Sequence, residues 1–157
     1  MAYTVFISHS MKQEDVSLLS RILENTALLG VVCYMAQHDG QAGRNLEAKL
    51  RQQIIACNCL LALITKNSIK SDWVQWEVGA AASQGKLVIP ILQKGIALPP
   101  FLAGKEYIEF DPQDPEKTVE AVTEYLHKLK LADDNQNAIA FAVVGGLGLL
   151  LLLGSKK

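Results

Sequence analysis

The sequence predicts a doubly wound α/β sandwich, with a five-stranded parallel sheet covered by helices on both faces, followed by one C-terminal transmembrane helix. Three observations predict it. Apolar runs of strand length alternate with stretches of helical spacing along most of the chain. Two of these runs, Cys59 to Thr65 and Lys86 to Gln93, are almost wholly apolar, the pattern of strands buried on both faces. Near the C-terminus, Ala138 to Gly154 is a stretch of seventeen uncharged residues.

The elements follow in order. Tyr3 to Ser8 alternates and branches like a first strand, and Asp15 to Leu29 has the spacing of an amphipathic helix that Gly30 stops. Val31 to Ala36 is a second strand. The polar stretch 37–45, with Gly40 and Gly43, is a loop, and Leu46 to Ala56 resumes helical spacing. Cys59 to Thr65 is the third strand, the Ser71 region opens a helix, and Lys86 to Gln93 is the fourth strand. After Pro99-Pro100 and Gly104, Tyr107 to Phe110 makes a fifth strand and Pro115 to Leu131 a last amphipathic helix. Strand and helix in strict alternation imply parallel pairing through right-handed crossovers, a flavodoxin-like sandwich. Ligands of such sheets collect at the carboxyl ends of the strands. Ser8, His9 and Ser10, the 37–45 loop and the segment before Trp73 all emerge there.

The 157 residues suffice for one packed core, and a single domain over 1–131 is expected. A net charge of -1 with dispersed basic residues offers no stripe for nucleic acid. Cys33, Cys57 and Cys59 fall in apolar runs without metal-ligand spacing, so buried reduced thiols are expected and no metal site. The N-terminus enters the first strand with no basic or cleavable leader, which places the domain in the cytoplasm. Residues 132–137 read as a polar linker, 138–154 as a single-pass anchor in a lipid bilayer, and 155–157 as a basic tail. Seventeen helical residues cover roughly 25 Å, the lower limit for a span.

The densest chemical signal is Ser71-Asp72-Trp73-Val74-Gln75-Trp76-Glu77. At about 100° per residue, Trp73, Trp76, Ala80, Gln84, Glu77, Ala81, Val74 and Val78 share one arc, with Glu77 near its middle. A carboxylate held there is paired, protonated or lining a cleft, unless it is simply solvated at the helix start. Trp73, one turn earlier, belongs either to the wall of that cleft or to the core, and Trp76 more to the core.

Taken together, Val5-Phe6-Ile7-Ser8-His9-Ser10 with Asp15, Gly30-Val31-Val32-Cys33, the 37–45 loop, and Ser71-x-Trp73-Val74-x-x-Glu77 resemble the TIR domain family of prokaryotic type. The resemblance runs from Tyr3 to about Leu131. It departs at Val74, where a cysteine is frequent, and in the 37–45 loop, which lacks the proline common in animal receptor domains. It implies cleavage of the nicotinamide–ribose bond of NAD+, a substrate rather than a cofactor, with Glu77 as the catalytic carboxylate. It also implies self-association through TIR contacts. Nicotinamide leaves as a neutral base, so one carboxylate can stabilise the ribosyl cation where ordinary glycosidases need two acids.

Substrate contacts would come from Trp73 and Trp76 by stacking, from Ser8, His9 and Ser10 to ribose or phosphate, and from Gly43 and Arg44 to the pyrophosphate. For each there is a plainer alternative: core for the tryptophans, a capped turn for residues 8–10, turn chemistry for the glycines. Two other functions are kept open. One is a TIR scaffold that assembles at a membrane without turnover, and the other a deoxyribosyl-transferase-like enzyme with a similar sheet and a glutamate nucleophile.

Overall fold

The computed structural model of the chain describes residues 2–38 and 42–141, with side chains described as far as 136. Five strands form one sheet: β1 (Tyr3–Ser8), β2 (Val31–Met35), β3 (Cys59–Ile64), β4 (Leu87–Gln93) and β5 (Ile108–Phe110), in the order β2-β1-β3-β4-β5. Every pairing is parallel. Val5 lies opposite both Cys33 on β2 and Cys59 on β3, which fixes the register of the centre.

Side-chain alternation along these strands feeds two cores, one on each face. Tyr3, Val5, Ile7, Leu61, Leu63, Ile89 and Ile91 meet α1 (Gln13–Ala27) and α4 (Pro115–Phe141) through Leu18, Leu19, Ile22, Val119, Val122 and Leu126. On the opposite face Phe6, Leu60, Ala62, Ile64, Val88 and Leu92 meet α2 (Leu46–Ala56) and α3 (Asp72–Ser83) through Leu50, Ile54, Val74, Val78 and Ala81. All six residues of β3 are buried, as its unbroken apolar run requires.

Pro90 sits inside β4, in register with Ala62, although proline cannot donate to a ladder. The pairing of β5 with β4 begins only at Ile91, so Pro90 falls where β4 is still the edge of the sheet. The predicted element order holds, with bounds shifted by a residue or two except at the end of α4, and with a 3-10 turn at Pro100–Leu102 that the sequence reading lacks.

The C-terminal reading needs more change. Residues 132–137, read as a polar linker, are helical: α4 continues unbroken to Phe141. Ala132 is buried and Lys130 Nζ donates to Asp134 Oδ2 one turn on, at 2.5 Å, so this polar stretch extends a packed helix. Among the described residues no helix is long and apolar enough to cross a membrane. The expected span at 138–154 lies, beyond Phe141, outside them.

Candidate active site

The sheet reverses its winding between β1 and β3, and the loops that follow these two strands therefore part to leave a crevice. A cavity of about 400 Å³ lies there, lined by His9 to Lys12 after β1, His38 after β2, and Asn67 and Ser71 after β3. A larger hollow of about 770 Å³ lies at the amino ends of β4 and β5, beside Leu87, Tyr107 and Tyr125 and away from Glu77. We place the site at the smaller one, because a buried polar network converges on it.

Glu77 is the centre of that network. Ser71 caps α3, its side chain accepting from Val74 N at 3.3 Å, and the helix then directs Glu77 toward the end of β1. There the Ser8 hydroxyl donates to Glu77 Oε1 at 2.6 Å, and His38 Nε2 meets Oε2 at 2.8 Å. An ionised carboxylate only accepts, so with Glu77 charged the Nε2 of His38 carries the donated proton. Glu77 is 0% exposed. Burial pushes its carboxyl above the usual carboxylate range, against the pull of the Ser8 and His38 hydrogen bonds and of the nearby His38 and His9 rings. Of the states open to it from sequence, paired is the one found. Glu77 does not itself line the cavity; His38 does.

Trp73 stands behind His38 and is not itself part of the cavity lining among the described residues. Its indole stacks on the His38 ring with centroids 4.9 Å apart and 8° between the planes. Trp76 meets Trp73 edge-on at 5.9 Å and carries the Arg51 guanidinium 5.1 Å from its ring centroid, on the side packed against the α2 and α3 core. It is a supporting residue for Trp73.

A second buried carboxylate holds the loops. Asp15, 1% exposed, accepts from Ser10 Oγ at 2.6 Å, Thr65 Oγ1 at 2.8 Å and Asn67 Nδ2 at 3.3 Å, tying the loop after β1 to the loop after β3. Ser10 is thus engaged as a loop pin. His9 is 1% exposed; its Nδ1 lies 2.5 Å from the Ser10 carbonyl, where the ring N–H donates, and its Nε2 has no partner among the described residues. Gly43 takes a φ of +79°, the left-handed conformation that glycine adopts without strain. Arg44 beside it is exposed, and neither residue lines the cavity among the described residues. The three cysteines are free, and burial pushes all three thiols up, Cys59 to about 12. Among the described residues no three His, Cys, Asp or Glu side chains cluster as metal ligands.

Of the residues expected from sequence, the structure brings Ser8, Trp73 and Glu77 together, with His9 and Ser10 alongside. Sequence reasoning missed His38 and the buried role of Asp15. The only signal for His38 was its place in a loop following β2, at the carboxyl edge of the sheet.

A parallel sheet in the order 2-1-3-4-5, with a buried carboxylate at its switch point, defines a doubly wound α/β domain, a class whose ligands bind at that edge. The chain belongs to the TIR domain family, whose profile matches residues 5–125. Among solved structures it is similar to the TIR domain of the Toll-related receptor TRR-2 from the lower metazoan Hydra magnipapillata. That likeness has 15% identity and a TM-score of 0.62, and covers 80% of this chain and 98% of that one. It is also similar to the Clostridium botulinum CMP N-glycosidase BcmB, with 14% identity and a TM-score of 0.61 over 78% of this chain and 98% of that one. At these identities the likeness is one of fold. None of the curated proteins matches the sequence.

Proposed function

We propose that this TIR domain is an NAD+ nucleosidase, membrane-anchored through 138–154, that acts within an antiphage or cell-suicide pathway of a prokaryotic host. The observation that carries the reading is the isolated carboxylate of Glu77, buried among Ser8, His38 and Trp73 at the sheet's switch point. In the reaction the bond between ribose C1′ and the nicotinamide nitrogen breaks. Its electron pair goes to the ring, which leaves neutral, and Glu77 faces the positive charge that develops on the ribose. Water then adds at C1′ and loses a proton, giving ADP-ribose; attack by a nucleophile of the same molecule gives a cyclic isomer instead.

Trp73 offers a face for the nicotinamide ring. Ser8 fixes the Glu77 rotamer and is a positioning residue. Arg44, which does not line the cavity among the described residues, would reach a pyrophosphate by way of the 37–45 loop or a neighbouring copy in a self-associated state.

Two other readings have support of their own. A non-catalytic scaffold that assembles through TIR contacts accords with the complete burial of Glu77. A nucleotide N-glycosidase breaks the same class of bond, and the CMP N-glycosidase shares the fold. The experiment is nicotinamide release from NAD+ by the full-length protein at high density in liposomes, beside Glu77→Ala, with CMP as a second substrate. Release that needs Glu77 supports the nucleosidase. Base release from CMP alone favours the third reading, and no release from either favours the scaffold.

A further inference from the structure

His38 makes two specific contacts at once. Its ring lies flat on the indole of Trp73, and its Nε2 meets Glu77 Oε2. A flat heteroaromatic ring that stacks on tryptophan and presents a polarised N–H to a carboxylate uses the recognition chemistry of an electron-poor aromatic ligand. It also closes the site. With Oε1 taken by Ser8, Oε2 by His38 and 0% exposure, no reacting group touches Glu77 while His38 stays in place.

We infer that His38 is a built-in competitor, its imidazole filling the subsite of the ligand's aromatic ring and leaving before Glu77 acts. The inference rests on the nucleosidase reading of the same site and adds to it a cap that holds the resting domain closed. The neighbouring elements identify which partner yields. Trp73 stands in the first turn of a capped helix, and Glu77 on the same helix is pinned by Ser8. His38 lies past the end of β2, two residues beyond Ala36, whose N–H to Ile7 O at 2.9 Å is the last backbone bond holding that segment to the sheet among the described residues. Uncapping breaks the stack on Trp73 and the bond to Glu77 Oε2 without requiring the Ser8–Glu77 bond to move, so displacing one side chain is enough.

The magnitude follows from occupancy. If the uncapped state makes up about a tenth of the resting population, the apparent KM is raised about tenfold. A catalytic helper behaves in the opposite way, and its loss lowers kcat. In the full-length protein, nicotinamide release is measured against NAD+ concentration for wild type and His38→Ala, with His38→Ser as a second variant should the first fail to fold. Nicotinamide binding is read in parallel by tryptophan fluorescence, since Trp73 stacks on His38 and the chain's other tryptophan, Trp76, meets it edge-on. The expected result is a KM lowered about tenfold, kcat preserved, and nicotinamide bound more tightly by a similar factor. An unchanged or raised KM, or a kcat reduced to that of Glu77→Ala, overturns the cap. Should no variant release nicotinamide, the nucleosidase reading fails and binding alone decides. Tighter nicotinamide binding by His38→Ala sustains a capped ring subsite, and equal or absent binding removes it.

Discussion

Ser8, the last residue of β1, and Glu77, in the second turn of α3, are joined by a 2.6 Å hydrogen bond across a sequence separation of 69 residues, with both side chains fully buried. This bond couples the sheet to the helix at the place where the proposed chemistry occurs. Replacing Ser8 by alanine leaves Oε1 buried without that donor, at a cost of about 1–3 kcal/mol. It also removes an influence that lowers the Glu77 pKa, so the carboxyl titrates higher still. Urea unfolding and the pH midpoint of activity together check this; an unchanged midpoint would show that the bond does not tune the acid.

Glu77→Ala should lower nicotinamide release by about two orders of magnitude or more, the scale on which removal of a single electrostatic contact to the transition state acts. Far-ultraviolet circular dichroism should be unchanged, because the backbone of α3 does not depend on this side chain. Activity within a few-fold of wild type would remove Glu77 from the mechanism.

Stability should respond to pH in the sense set by burial. The folded-state pKa of Glu77 is raised, so folding binds its proton more readily than the unfolded chain does. Glu77→Gln should therefore match wild type well below the ordinary carboxylate range. It should gain stability relative to wild type as pH rises through the folded-state pKa, then keep that gain. Thermal unfolding across the acidic range measures it, and a gain that is greatest at low pH would reverse the assignment.

Asp15→Ala takes the acceptor from the Ser10 and Thr65 hydroxyls while Asn67 keeps Glu14, so a loss of about 1–3 kcal/mol is expected, with faster amide exchange in residues 65–71. Exchange confined to α1 would mean that the tether between the loops carries little.

The membrane reading is tested by ending the chain after Phe141. The full-length protein should partition with lipid and the shortened one should not, while both keep the fold, since the core contacts of α4 lie at Val119, Val122 and Leu126. Equal partitioning would end the anchor proposal.

The strands were legible because each is a short apolar run with few competing readings, and Glu77 because a charge on an otherwise apolar arc stands out. Other features depend on tertiary contacts that no local pattern encodes. His38 reaches Glu77 across a separation of 39 residues from a stretch without periodicity. Asp15 reads as an acid compensating the first turn of a helix, and its burial follows from the loop after β3 folding over it. The polar residues 133–137 read as a linker, yet the helix that precedes them simply continues. Gly43 and Arg44 were chosen for what such residues can do near a phosphate, and the turn that holds them faces solvent.

Because Asp15 binds the loops after β1 and β3 to each other, those two borders of the cavity behave as one rigid post. A ligand entering there would have to break buried hydrogen bonds, whereas entry along the β2 border displaces one imidazole. If the proposed cap holds, an acid that does not touch Glu77 sets the direction of approach, and substitutions that alter access should cluster after β2.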